Sequence, residues 1–196
     1  MKRITILLIA AVLLLSFAGC SKKADDPKTI VADFFAAVKA QGLNGAIEKS
    51  ATAIEPLGAD SNVTPIIEAA LKKCSCKYIG AEPTSGQNVP KSNGYICNVE
   101  ISAVDMANLL AGLEAYAGEK IATGMTDTQE LNALLQTKIL DDISAAGVNP
   151  VKTEITLVRD GDAMKVVFDG ALFDKMTGGL FTTYMDILEK TMKEGE

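Results

Sequence analysis

The sequence predicts an α+β fold, in which N-terminal helices pack on a curved antiparallel sheet, with a helical insertion between two hairpins and a C-terminal helix. Two observations lead to this prediction. Apolar residues recur at helical spacing near both ends of the chain and in its middle. Two intervening segments alternate apolar and polar residues as paired strands do. This order of elements is typical of helices segregated to one face of an antiparallel sheet.

The first 19 residues have the features of a cleavable signal peptide. Lys2-Arg3 precedes an almost wholly apolar run over residues 4–17, which is shorter than the roughly 20 residues that a membrane-spanning helix needs. The next segment, Phe17-Ala18-Gly19-Cys20, resembles the lipobox of bacterial lipoproteins, although leucine is usual where Phe17 stands. We therefore predict that Cys20 is lipidated and becomes the first residue of the mature chain. An ordinary signal peptide with a coincidental cysteine is the alternative.

This processing would leave residues 20–26 as a lipidated tether and residues 27–196 as a single α+β domain. Two or three acyl chains, palmitate among them, hold a protein stably on a membrane. We expect the protein in the bacterial cell envelope, facing outside the cytoplasm. In a host with two membranes we expect the outer one, because Ser21 lacks the charge of a retaining aspartate.

The chain is acidic, with 25 Asp and Glu against 19 Lys and Arg and a net charge of −6. Loss of residues 1–19 would remove two of the basic residues and increase the imbalance. A net negative surface without a basic cluster repels phosphate backbones, so nucleic acid is not an expected partner.

Helix signals occur along the whole chain. Asp26-Pro27 has the pattern of an N-cap followed by proline at the first helical position. The stripe Val31, Phe34, Phe35 and Val38 follows at helical spacing, with Gly42 as the expected end. A short helix is expected over residues 45–50, and Thr64-Pro65 repeats the cap-and-proline signature.

Two further helical regions are predicted. Asp105 should cap an insertion that runs to Gly147 with a break at Gly124. A closing amphipathic helix should pack its apolar stripe against the core, with a membrane or a partner as the alternative contact. This stripe consists of Phe181, Tyr184, Met185, Leu188 and Met192.

The first predicted hairpin joins Cys74–Ala81 to Tyr95–Ile101 through a long loop. Pairing of Tyr78 with Tyr95 would place Cys76 opposite Cys97. Thiols that meet in an oxidising compartment tend to pair, which predicts a disulfide between Cys76 and Cys97 with Cys74 left free.

Two alternatives to this disulfide remain. The three cysteines could be small buried hydrophobic residues. The Cys74-x-Cys76 spacing could also bind zinc or cuprous copper with Cys97, a weak signal because the chain has no histidine.

The second predicted hairpin is better defined. Alternating residues from Val151 to Leu157 lead to the tight-turn signal Asp160-Gly161, and Met164, Val166 and Phe168 continue the alternation.

Three segments resemble bacterial lipoproteins of unknown function whose domain is similar to nuclear transport factor two, in the cystatin-like α+β superfamily. They are Pro27–Phe35, Ile101–Met106, and Asp169–Leu180 with its Thr177-Gly178-Gly179. The resemblance implies a curved sheet wrapped by helices around a conical cavity, and it transfers no catalytic residues. The insertion from Asp105 to Gly147 exceeds the compact form of that fold.

The expected function is a non-catalytic ligand-binding or envelope interaction module. Its partners would be the membrane, through the anchor, and a small apolar ligand or an envelope protein. No metal or cofactor is predicted, and the absence of histidine removes the Ser-His-Asp and Cys-His nucleophile systems. The alternative is a small cavity enzyme with a tyrosine and carboxylate pair drawn from Tyr78, Tyr95, Glu100 and Asp169. The pair Gly178-Gly179 lacks the spacing of a phosphate loop, so we expect a hinge or a close-packing role.

Overall fold

The structure, a computed structural model, describes residues 26–52, 63–84 and 94–194. The predicted signal peptide, Cys20 and most of the tether lie outside these ranges. Seven helices and five strands lie within them. The helices are α1 (Pro27–Gln41), α2 (Leu43–Lys49), α3 (Thr64–Lys73), α4 (Met106–Ala122), α5 (Thr128–Ala145), α6 (Gly170–Met176) and α7 (Leu180–Glu194). The strands are β1 (Ser50–Thr52), β2 (Ser75–Pro83), β3 (Gly94–Ala103), β4 (Asn149–Asp160) and β5 (Ala163–Val167).

The strands form one sheet in the order β1-β5-β4-β3-β2. The pairs β2–β3, β3–β4 and β4–β5 are antiparallel, whereas β1 runs parallel to β5. The predicted α+β class is confirmed. The sheet is mixed rather than wholly antiparallel because β1, which the sequence analysis did not predict, joins it after α2.

The predicted first helix is confirmed as α1. The Asp26 carboxylate accepts hydrogen bonds from the backbone N–H groups of Lys28 and Thr29, and Pro27 occupies the first turn. The predicted stripe from Val31 to Val38 is buried. The helix ends at Gly42, whose φ of 60° suits glycine.

One face of the sheet carries the hydrophobic core. Alternate residues of β3 are buried there, and helices α1, α3, α5 and α6 cover them. The Phe168 ring lies 5.7 Å from the Phe34 ring and 6.2 Å from the Phe173 ring, centroid to centroid. These side chains fill the space between helices and sheet, where the family resemblance implies a cavity.

The predicted insertion is confirmed as the helix pair α4 and α5, with the break near Gly124. Met106 is buried at the start of α4, and Ile139 and Ile143 are buried in α5. The predicted second hairpin is also confirmed, because Asp160 pairs with Ala163 across a turn in which Gly161 has a φ of 61°.

The predicted packing of the closing helix against the core is wrong for Phe181, Tyr184 and Met185, whereas the side chains of Leu188 and Met192 lie outside the described part of the structure. Leu180 is buried at the start of α7, but Phe181, Tyr184 and Met185 are 37%, 53% and 47% exposed. The helix begins where Asp174 of α6 accepts hydrogen bonds from the Phe181 and Thr182 backbone N–H groups. It therefore attaches by its first turn and leaves this part of the stripe in solvent. No helix within the described residues is long and apolar enough to cross a membrane.

Candidate functional site

The predicted register of the first hairpin is wrong. Tyr78 pairs with Val99 and Cys76 with Ile101, and a bulge near Gly80 then brings Ala81 opposite Cys97. Cys97 lies four residues from the partner of Cys76, or about 13 Å along the strand at roughly 3.3 Å per residue. A disulfide spans about 4.4 to 6.8 Å between α-carbons. The predicted bond between Cys76 and Cys97 is therefore not formed, and Cys74, Cys76 and Cys97 are free thiols.

These three thiols belong to the hydrophobic core or pack against it, and they remain protonated near neutral pH. Burial raises the pKa of Cys74 to about 12 and that of Cys97 to about 11. The pKa of Cys76 rises to about 12, by burial first and by the neighbouring Cys97 second. A thiolate is the form that attacks disulfides and binds metals, so these thiols are poor nucleophiles and poor ligands. No group of three or more metal-binding side chains is found among the described residues.

The tyrosines and carboxylates considered for catalysis do not converge. Tyr78 shares the core face with Val99, so Glu100, the next residue, points to the other face of the sheet. There Glu100 lies between Lys77 and Lys152 on the neighbouring strands. Asp169 accepts a hydrogen bond of 2.8 Å from the Leu172 backbone N–H and so caps α6. Glu100 therefore lies among lysines on the sheet face away from Tyr78, and Asp169 serves as a helix cap.

Gly178 has the close-packing role that the sequence indicated. A β-carbon there would lie 1.8 Å from the Val104 carbonyl oxygen, and the φ of 73° already disfavours other residues. The Gly178 carbonyl accepts a hydrogen bond of 3.1 Å from the Met106 backbone N–H. This contact joins the α6–α7 connection to the start of α4.

An open cleft of about 500 Å³ lies between α1 and the edge of β5. We call it the α1–β5 cleft. It is lined by Ile30, Asp33, Phe34, Ala36 and Ala37 of α1, Glu48 and Lys49 of α2, and Ala163, Met164 and Lys165 of β5. Within the described part of the chain, β1 pairs with Val166 and Val167, and no strand lies beside the start of β5 on that side.

The rim of the α1–β5 cleft carries charges of both signs. Lys49 pairs with Glu48 at 3.2 Å, and Lys165 pairs with Asp160 at 2.7 Å. Asp33 is exposed on α1 and has no ion pair with another described residue. The cleft therefore has one uncompensated carboxylate above apolar walls.

Sequence analysis did not identify this cleft. Asp33 is one polar residue among several on α1, and Met164 fits the alternation of an ordinary core strand. The decisive feature is that α2 runs to Lys49 and β1 begins only at Ser50, opposite Val166. The point at which one strand meets another cannot be predicted from local patterns.

No family model matches the chain, and no curated protein matches it. A solved structure from Bacillus subtilis subsp. subtilis str. 168, named as a "putative lipoprotein (ycdA)", is similar to the chain at 17% sequence identity with a TM-score of 0.42. The match covers 79% of this chain and 47% of that one, so it spans just under half of that protein's length. Fold and site define this chain as an α+β domain with a packed core and an open surface cleft, and no family is assigned.

Proposed function

We propose that the protein is a lipid-anchored lipoprotein of the bacterial cell envelope that acts outside the cytoplasm as a non-catalytic interaction module. The anchor is supported by the sequence, through the segment Phe17-Ala18-Gly19-Cys20 after a charged and then apolar start. On this proposal the membrane is the first partner, and a protein of the envelope is the second.

The observation that carries the interaction role is the filled space between the helices and the sheet. Phe34, Phe168 and Met106 are among the largest fully buried side chains there, and the buried polar or charged residues in the described chain are Ser50 and Thr177. A small-molecule site needs a hollow with a few convergent polar groups. A packed core supports recognition at the surface instead, where the α1–β5 cleft and the exposed stripe of α7 lie.

The same observation bears on the family resemblance. If the domain belongs to the superfamily that resembles nuclear transport factor two, it is a member whose cone is closed by its own side chains. The proposal therefore favours an envelope protein over a small apolar ligand.

Native mass spectrometry of the protein extracted from its own membrane tests both parts of the proposal. We expect the mass of the chain cut before Cys20 and carrying two or three acyl groups, with no small molecule retained. The variant Cys20→Ala should lack the acyl mass and keep residues 1–19. The matched control Cys76→Ala should be acylated and cut like the native chain. An uncut, unacylated native chain would exclude the anchor, and a retained small ligand would exclude the surface-only role.

A further inference from the structure

We propose that the α1–β5 cleft binds an extended peptide segment with a basic side chain, which adds as a short strand to the open start of β5. The inference rests on the proposed interaction role, since it names a partner class for it. It does not depend on the lipid anchor.

The first argument is the main chain of β5. Asp160 and Ala163 flank the two-residue turn. In such a hairpin the backbone N–H of each of these residues donates a hydrogen bond to the C=O of the other. The alternation of an antiparallel ladder then directs the main-chain groups of Met164 and Val166 away from β4. On the side away from β4, Val166 meets Ser50 of β1, but Met164 has no strand partner there among the described residues. Its N–H and C=O groups therefore face the cleft.

Unpaired strand edges recruit extended peptides, because main-chain hydrogen bonds recognise an extended backbone whatever its side chains. Here the open stretch is Ala163–Lys165, bounded by the turn at one end and by β1 at the other. The volume of about 500 Å³ holds a few residues and not a folded domain. The partner that fits is a short extended segment.

The second argument is the helix that forms the opposite wall. Ile30, Phe34 and Ala37 recur at helical spacing on α1 and line the cleft. Ile30 and Ala37 are half-buried, so their exposed parts are available to a side chain of the added strand. Side chains of a strand alternate between faces, so every second residue of the peptide would point toward this wall.

The third argument is charge. Glu48, Lys49 and Lys165 are all engaged in ion pairs, as described above. Asp33 lies between Ile30 and Ala37 on the same wall, exposed and without an ion pair to a described residue. A lysine or arginine of the peptide that points toward α1 would complement this carboxylate, whereas an acidic residue would be repelled.

The test uses the full chain as purified from its own membrane in detergent and a labelled pentapeptide, acetyl-Val-Thr-Lys-Thr-Val-amide, in fluorescence anisotropy. Valine and lysine occupy the positions that face α1, and threonine faces the other side. We expect binding that weakens about tenfold when lysine is replaced by glutamate and about tenfold when the peptide amides are N-methylated. Asp33→Asn should weaken it about tenfold, and Ala36→Trp, which obstructs the cleft, should abolish it. Asp141→Asn, an exposed carboxylate on α5, is the matched control and should bind like the native chain.

Equal binding of the native and N-methylated peptides would overturn the proposal, as would binding that ignores both Asp33→Asn and Ala36→Trp. Hydrogen exchange gives a second measurement that needs no peptide. The Met164 amide should exchange quickly in the free protein, while the Val166 amide, paired with β1, exchanges slowly. A slowly exchanging Met164 amide in the free protein would show that the edge is already occupied and would also overturn the proposal. Either failure leaves the acylation measured by mass spectrometry unaffected.

Discussion

At the scale of single residues, the three free cysteines show how burial decides chemistry. Cys74 and Cys97 are buried and Cys76 is half-buried, and none of the three lies directly opposite another across the sheet. Burial stabilises the neutral thiol over the thiolate. The cysteines therefore act as small hydrophobic residues, the interpretation that the sequence analysis kept as an alternative to the disulfide.

We predict that iodoacetamide modifies these thiols very slowly while the chain is folded. With a pKa of about 12 in place of 9.0, the thiolate fraction of Cys76 at about pH 8 falls about a thousandfold, and the alkylation rate falls with it. Peptide mapping by mass spectrometry after timed alkylation should find almost no adducts at Cys74, Cys76 and Cys97 in the native protein, and adducts at all three after unfolding in guanidinium chloride. Rapid modification of the native protein, or fewer than three adducts after unfolding without reductant, would contradict this prediction.

A second residue-scale prediction concerns Gly178 and uses its neighbour as a control. Both Gly178 and Gly179 have positive φ, at 73° and 83°, but a β-carbon on Gly179 would meet nothing closer than 3.9 Å. Gly178→Ala adds a clash with the Val104 carbonyl and should lower the free energy of unfolding by about 2 kcal/mol or more. Gly179→Ala should cost about 1 kcal/mol, the backbone penalty alone. Equal losses in urea unfolding would show that the approach to Val104 is not a constraint.

At the scale of elements, α7 shows that an amphipathic pattern does not by itself bury a helix face. Its apolar spacing is that of a core-facing helix, and the sequence analysis interpreted it so. In the structure its start is held by the Asp174 cap and by buried Leu180, and the next turns expose Phe181, Tyr184 and Met185. A periodic stripe shows which side of a helix is apolar, but only tertiary structure shows what covers that side.

We predict that substitutions along α7 differ sharply in their effect. Leu180→Ala removes a buried side chain and should lower the free energy of unfolding by about 2 to 4 kcal/mol. Met185→Gln keeps the length of an exposed side chain and should change that free energy by less than about 0.5 kcal/mol. Urea unfolding at two protein concentrations measures both. A large cost for Met185→Gln in dilute protein would mean that this face is buried after all.

The elements that could be predicted are those whose signals are local. Asp26-Pro27 with the stripe that follows it specifies α1, and Asp160-Gly161 specifies the turn between β4 and β5. The register of β2 on β3 was missed because a bulge near Gly80 and a long loop leave it to side-chain packing across the sheet. The α1–β5 cleft was missed because it depends on where β1 begins along β5, which is a long-range property of the chain.

At the scale of the whole molecule, the titratable groups set a simple stability profile. The chain has no histidine, so no histidine step can occur near neutral pH. On the acid side, the hydrogen bond from Thr29 lowers the pKa of the Asp26 carboxyl below 3.8. That stabilisation is present above the unfolded value and is lost as the pH falls through the folded one. On the alkaline side, burial raises the pKa values of the three thiols and of Tyr78.

We therefore predict a stability plateau through neutral pH that declines on the alkaline side above about pH 9. A thiol whose pKa is raised by folding contributes fully to the free energy of unfolding below the unfolded pKa of 9.0. That contribution is lost as the pH rises toward about 12, because the unfolded chain then releases protons that the folded chain retains. Urea unfolding from about pH 5 to 10.5 measures the profile. The control is the variant with alanine at Cys74, Cys76 and Cys97, which keeps every other titratable group of the chain. It should have a lower plateau, because side-chain volume is lost, and a shallower alkaline decline. An equally steep decline in this variant would show that the thiols do not cause the alkaline loss of stability. A step near pH 6.5 in the native chain would reveal a carboxyl or thiol with a pKa far from the values described here.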